Sequence, residues 1–273
     1  KKRFINVCIP VPPIDVQTEI AKILDRSADY AAELQAELQA RKEQYEYYRN
    51  LLLTFNTTCG GADGKQKMMD NAHREVKWMT LGEVGTFTRG NGLQKKDFTE
   101  SGIPCIHYGQ IYTYYGTSAN KTKSFCSQEL AAKITKVKKG NLIISCTSEN
   151  IEDVCKAVAW LGDEDIVTGG HACVYEHNLN PKYVSYYFQT EDFYTQKKKY
   201  ARGTKVIDIK ATDLAKIIIP IPSFAEQERI VSILDRFETL INDLSQGLPA
   251  EIAAVQEQYE YYRNKLLSFP KYK

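Results

Sequence analysis

A long internal repeat constrains this chain more than any other feature. Ile9-Pro10-Val11-Pro12 is answered 210 positions later by Ile219-Pro220-Ile221-Pro222, and Gln17, Ile20 and Ile23-Leu24-Asp25-Arg26 by Gln227, Ile230 and Ile233-Leu234-Asp235-Arg236. Further along, Glu43-Gln44-Tyr45-Glu46-Tyr47-Tyr48-Arg49-Asn50 recurs letter for letter as Glu257-Gln258-Tyr259-Glu260-Tyr261-Tyr262-Arg263-Asn264, now 214 positions on, so the second copy carries a four-residue insertion. Self-similarity on this scale marks one structural unit used twice. The match begins upstream of the prolines, where Phe4 to Cys8 and Leu214 to Ile218 are short apolar runs entering the same Ile-Pro-x-Pro exit.

Each copy predicts a long helix. Ile20, Leu24, Ser27, Ala31, Leu34, Leu38, Arg41, Tyr45, Tyr48, Leu52 and Phe55 recur at alternating spacings of four and three, the pattern of a coiled-coil seam. About 40 residues of helix would reach roughly 60 Å at 1.5 Å per residue, the dimension of a spacer rather than of a small core. The second copy keeps the pattern through Ile230, Leu234, Phe237, Ile241, Leu244 and Leu248, then restarts at Ile252 through Val255, Tyr259, Tyr262, Leu266 and Phe269. Gly247 and Pro249 fall at this stutter, and proline is favoured in a first turn but not inside a helix, so two helical pieces are expected there. Two such helices can return alongside each other as an antiparallel pair, or each can pair with a different neighbour.

Between the copies the texture changes. Asn56 to Lys67 is rich in Gly, Thr and polar residues and predicts a linker. From Trp78 onward, short β-prone runs punctuated by glycine occupy Val84–Thr88, Ile103–Tyr108, Gly140–Ser145, Val154–Trp160, Ala172–Tyr175 and Lys216–Ile219, with one helix expected over Tyr183–Lys199. The fold class expected is α/β (α+β): a mixed, mostly antiparallel curved-sheet domain flanked by long coiled-coil helices. The organisation expected is a terminal strand and exit of a preceding domain at 1–13, a first spacer helix at 14–55, a linker at 56–77, a central domain at 78–222, and a second spacer region at 223–273 broken near Gly247–Pro249.

The Ile-Pro-x-Pro exit, the Gln-x-x-Ile-x-x-Ile-Leu-Asp-Arg helix start and the Gln-Tyr-Glu-Tyr-Tyr-Arg-Asn helix end together resemble the repeated spacer regions of type I restriction-modification specificity subunits. The stretch from Trp78 to Val84, through Gly102 to Tyr112, to Gly169-Gly170-His171-Ala172 is similar to a target-recognition domain of that family. The resemblance implies a non-catalytic subunit that reads one half of a bipartite site in double-stranded DNA. It also implies docking of methyltransferase subunits that methylate adenine, with a motor-nuclease subunit added for cleavage. No cofactor of its own is expected, since S-adenosylmethionine would bind the methyltransferase. The departure from the family is that two spacer copies accompany one complete recognition domain, so the chain is either part of a longer subunit or a natural half-subunit acting as a homodimer. The alternative reading is a helical dimerising scaffold whose central domain binds another protein.

A DNA reader needs cations for phosphates and forked or planar polar groups for base edges. The segment Tyr194–Lys205 ends in a cationic loop, and Lys198, Lys199, Arg202, Thr204 and Lys205 lead the candidates. The loop after Thr88 offers Arg89 for guanine, Asn91 or Gln94 for adenine, and Lys95 and Lys96 for phosphate. His107, Tyr108, Gln110, Tyr112 and Tyr114 read as a polar aromatic strand and turn, either inserted in a groove or half-buried in a sheet. Ser148, Glu149 and Asn150 follow a β-run, and His171 follows a glycine pair as a turn residue near DNA. Tyr47, Arg49, Tyr261 and Arg263, at the helix ends, are candidates for docking the methyltransferase, with packing against the recognition domain as the other reading.

The net charge of +2 is too small to imply nucleic acid by itself. Seven cysteines without a C-x-x-C pair suit neither a disulfide framework nor a zinc site, so a reducing cytoplasm and no metal are expected, and no membrane is expected because no run approaches the roughly 18 consecutive apolar residues that a spanning helix needs. No Gly-x-Gly-x-x-Gly, Walker loop, methyltransferase Asn-Pro-Pro-Tyr or Gly-x-Ser-x-Gly motif is present; a nucleophilic Cys146 or Cys173 would lack a committed histidine partner.

Overall fold

The computed structural model describes residues 9–55, 76–243 and 247–269; the strand expected in Lys1–Cys8 and the linker expected over Asn56–Lys67 lie outside these residues. The chain divides into two units, one of Lys1–Glu46 with Leu234–Lys273, the other of Tyr47–Ile233.

The first unit is an antiparallel pairing of helical segments. One helix runs Ile14–Leu53; the second copy forms helices Phe224–Asn242 and Leu248–Leu266. Within the unit, Ile20, Leu24, Ser27, Ala31, Leu34, Leu38, Arg41 and Tyr45 are shielded, together with Gln44, while most other positions face solvent. A continuous apolar stripe therefore seeks a partner along the whole helix. Rising numbers on one side meet falling numbers on the other: Leu34 and Leu38 cluster with Leu248, Ile252 and Val255, and the Tyr45 ring lies 6.4 Å from that of Phe237. Tyr30 Oη donates to Glu251 Oε1 at 2.7 Å across the same pair. At the restart, Gly247 caps the last helix and Pro249 sits in its first turn. A Cβ on Gly247 would lie 2.6 Å from the carbonyl oxygens of Thr239 and Leu240, so only glycine allows this approach. The seam then passes through Val255, Tyr259, Arg263 and Leu266, leaving the expected seam residue Tyr262 42% exposed.

The second unit is built on two five-stranded sheets. The first has the order Gly85–Arg89, Ala172–His177, Leu142–Ser145, Ala157–Trp160, Ser118–Ala119, antiparallel except for the last pair. The second has the order Phe98–Thr99, Ser124–Cys126, Ile103–Ile106, Ile166–Thr168, Thr135–Val137, with one parallel pair between Ile103–Ile106 and Ile166–Thr168. Ile143, Val158, Trp160 and Val174 of the first sheet share one core with Ile106, Val137 and Ile166 of the second. The central strands Leu142–Ser145 and Ala157–Trp160 are buried at every residue, which is why they read as unbroken apolar runs without alternation.

The helix expected over Tyr183–Lys199 is two helices, Pro181–Tyr187 and Glu191–Lys198. Thr190 makes the break: its hydroxyl donates to the Tyr187 carbonyl at 2.7 Å and accepts from the Phe193 amide at 3.2 Å, capping the second helix. The buried hydroxyls of Tyr183 and Tyr187 donate to the carbonyls of Pro220 and Ile218 at 2.8 and 2.6 Å, tying the first helix to the exit strand Ile218–Ile221. That strand pairs with Lys77–Thr80.

Candidate nucleic-acid interface

Strand register decides which loops meet. Arg89 lies opposite Cys173, and Ala172 lies opposite Ser145. The loop after Arg89, the turn before Ala172 and the segment after Ser145 therefore leave the same end of the first sheet. His171 occupies that turn in a left-handed conformation, with φ of 68°, and its carbonyl accepts from the Cys146 amide at 2.7 Å. A second small sheet brings in the cationic loop: Thr147–Ser148 pairs antiparallel with Ile207–Asp208, and Ile209 N donates to Cys146 O at 3.0 Å. Two backbone hydrogen bonds between Arg202 and Asp208, at 3.1 and 2.8 Å, close the loop. Gly203 turns it with φ of 106°, where a Cβ would lie 2.0 Å from the Val206 carbonyl oxygen.

This sheet end carries many of the candidate readers. Arg89, Gln94, Lys95, Lys96, Lys198, Lys199, Arg202, Thr204 and Lys205 are exposed. Arg202 lies 3.4 Å from Asp213, which also takes Lys216 at 2.7 Å; Lys216 above all, then Arg202, holds the Asp213 carboxyl below its usual range. A cleft of about 220 Å³ separates Arg89 from Asp208, Lys210 and Thr212, with Cys146 and Cys173 in its lining. The Cys173 thiol is pushed well up by its hydrogen bond with Cys146 and by burial, a setting that keeps it protonated and opposes nucleophilic use.

Several residues that look like readers in the sequence are instead internal ties. Asn91 donates to the Lys133 carbonyl at 3.2 Å and accepts from both the amide and the hydroxyl of Thr135 at 3.1 Å, leaving no fork free for an adenine edge. His107, Tyr108, Gln110 and Tyr112 stand on a short helix, Tyr108–Thr113, and its cap rather than on a strand. His107 is buried, its Nδ1 accepting from Gly109 N at 3.1 Å, and burial first, then Lys95 and His171, push its pKa down. Gln110 accepts from His107 N at 3.0 Å and donates to Ser124 Oγ at 2.7 Å. Tyr112 Oη is bonded to Ser145 Oγ and donates to the Thr147 carbonyl at 2.7 Å, with burial pushing the phenol up to about 12. Asn150 forms a reciprocal pair with Asp153, at 2.7 and 2.8 Å. Of this aromatic group, Tyr108 is half-buried with its ring 5.0 Å from exposed His171, and Ser148 is half-buried at the loop base.

Lys197 is the residue that sequence reading passed over. Within the run Lys197-Lys198-Lys199 it alone is buried, and its ammonium donates to the carbonyls of Glu152 and Val154 at 2.8 and 2.6 Å. No local signal separates it from its exposed neighbours except its place one turn beyond the buried Phe193.

At the helix ends, Tyr47 and Tyr261 are 63% and 57% exposed, whereas Arg49 turns inward to Gln189 Oε1 at 3.4 Å. Arg263 lies over the Tyr259 ring at 5.7 Å. Among the described residues no group of His, Cys, Asp or Glu is placed to hold a metal, and no helix is long and apolar enough to cross a membrane.

Comparison with known proteins gives a consistent answer. Residues 73–254 match the model of the type I restriction modification DNA specificity domain. The chain is 34% identical over 275 residues to the type I restriction enzyme EcoR124I/EcoR124II specificity subunit of Escherichia coli, covering 96% of this chain and 63% of that one. It is 32% identical to a type I restriction enzyme specificity subunit of Haemophilus influenzae, covering 98% of this chain and 66% of the relative. The chain thus spans just under two thirds of the length of these relatives. The HsdS subunit of Thermoanaerobacter tengcongensis shares the fold, with a TM-score of 0.57 at 15% identity over 95% of this chain and 60% of that one. With a family model spanning most of its length and relatives above 30% identity over nearly all of it, the chain belongs to the type I restriction-modification DNA specificity family.

Proposed function

We propose that this chain supplies one reading head of a type I specificity subunit: it selects a DNA half-site and presents it to methyltransferase subunits that carry the chemistry. The observation that carries this reading is the convergence of exposed cations from two separate loops, with exposed His171 from a third, on one end of a rigid sheet. Phosphates require mobile cations at the surface, while base edges require side chains held in register by a stiff frame, and this sheet end has both. Tyr47 and Tyr261, identical positions of the repeat and both exposed, are the proposed contacts for the methyltransferase. The whole assembly would include a motor-nuclease subunit and work in the cytoplasm. The scaffold alternative has no support in the family assignment.

The repeat supports a second reading head. In the second copy the exit motif is covered: Ile219 is 0% exposed, and Gln227, whose side chain donates to Pro222 O at 3.0 Å, is buried. In the first copy Gln17 makes the same bond to Pro12 O at 2.7 Å, yet Ile9 is 73% exposed. Two copies of one motif, one covered by a recognition domain and one bare, fit a bipartite reader, supplied either by a longer chain or by a homodimer.

The test combines the chain with its cognate methyltransferase and S-adenosylmethionine and maps modified adenines on long unmethylated DNA. Methylation at a symmetric, interrupted site supports paired half-subunits. DNA binding without methylation supports a reader lacking its second head, and loss of both refutes the reading.

A further inference from the structure

We propose that Lys197 is a positioning residue for DNA sequence selection, holding the loop Ser148–Cys155 in one shape through its two hydrogen bonds to the carbonyls of Glu152 and Val154. This rests on the DNA-reading function proposed above, since the loop stands at the sheet end that would meet the duplex. The loop is fastened at its base by strand pairing of Thr147–Ser148 with Ile207–Asp208 and by Tyr112 on the Thr147 carbonyl. Its tip is closed by the Asn150–Asp153 pair, and Cys155 returns it to the sheet in a left-handed conformation with φ of 66°. Cys155 N donates to Ser145 O at 2.8 Å at the foot of the descending side, but none of these ties reaches the inward-pointing carbonyls of Glu152 and Val154, which need an anchor of their own. Lys197 fills that role.

The geometry suits a pin better than a phosphate contact. The ammonium is buried, its partners are neutral carbonyls, and the rings of Phe193 and Tyr194 lie 5.9 and 5.6 Å from it. It comes from the last turn of helix Glu191–Lys198, so one rigid element sets the height of the loop while the next two lysines on the same chain face outward. An apolar side chain could fill the volume, but only a multiple N–H donor closes both carbonyls. Burial lowers the Lys197 pKa, in keeping with its enclosure.

The experiment selects duplexes from a randomised DNA library with the full chain, then compares affinity for a selected duplex with affinity for a scrambled duplex of equal length. Lys197→Met is expected to cut the selected-to-scrambled ratio about tenfold, the scale of one misplaced base contact, with scrambled affinity nearly unchanged. Lys198→Met and Lys199→Met should weaken both duplexes in parallel and keep the ratio; Lys197→Arg, which retains cationic donors, should also keep it. An unchanged ratio in Lys197→Met, or parallel weakening of both duplexes, overturns the proposal. If the Met variant does not fold, Lys197→Leu, which also lacks an N–H donor, is read by the same criteria. If the unaltered chain shows no preference, the DNA-reading function fails, and hydrogen exchange still judges the pin: the amides of Asp153 and Lys156 must exchange faster in Lys197→Met than in the unaltered chain, and equal exchange refutes it.

Discussion

Replacing Lys198, Lys199 and Lys205 together by alanine removes the exposed cations of one loop that have no ion pair among the described residues; Arg202 is left in place because Asp213 holds it at 3.4 Å. If each lysine neutralises one phosphate, binding loses three released counterions, and the slope of log K against log salt becomes shallower by about 2.7. Over a fourfold rise in salt that slope difference is worth about 40-fold, so the variant is crippled at low salt and much closer to the unaltered chain at high salt. All three side chains are exposed, so the free energy of unfolding should change little, by about 0.5 kcal/mol or less. Fluorescence anisotropy with a labelled duplex, titrated at four or more salt concentrations between about 50 and 200 mM, reads the slope directly. A variant that loses affinity by the same factor at every salt concentration, or keeps its slope, would show that these lysines do not face phosphate.

The repeat offers its own internal control. Gln227→Ala strips a buried residue that accepts from Asn180 N at 2.9 Å and donates to Pro222 O, and should cost about 2 kcal/mol in urea unfolding. Gln17→Ala, the equivalent change at an exposed site, should cost under about 0.5 kcal/mol; equal costs would contradict the covered and bare assignment. A third prediction concerns acid. Burial pushes His177 down to about 4, while its Nδ1 accepts from Leu179 N at 3.1 Å. Between the ordinary histidine pKa of about 6.5 and that value the unfolded chain binds a proton that the folded chain refuses, so stability must fall as pH drops through this window. His107, also depressed by burial, acts in the same direction. His177→Gln should flatten part of that dependence, and an unchanged pH profile of the urea midpoint would refute the assignment.

What could be read directly from the residues was what depends on near neighbours. The seam from Ile20 to Tyr45 is a local periodicity, and a helix with one apolar stripe has only that stripe to bury, so sequence and burial coincide residue by residue. The exception at Tyr262 arises where the stripe drifts by one position, because an α-helix advances 3.6 residues per turn rather than 3.5. The break in the expected helix Tyr183–Lys199 was less legible, since Thr190 is a cap only when the following turn is helical and the preceding one has ended.

The candidate interface shows the opposite dependence. Sequence identified the loops and their charge, and the repeat by itself established a unit used twice. It could not tell a reader from a fastening: Asn91, Gln110, Tyr112 and Lys197 carry the same functional groups as residues that face solvent, and their partners lie 33 to 45 positions away or, for Gln110, 14. A polar side chain satisfies its hydrogen bonds with whatever the folded chain brings within about 3 Å, and only strand register and helix placement decide whether that is a carbonyl of another loop or open water. The periodicity of the helices therefore belonged to the sequence, whereas the division of polar residues into those that hold and those that can touch DNA belonged to the tertiary structure.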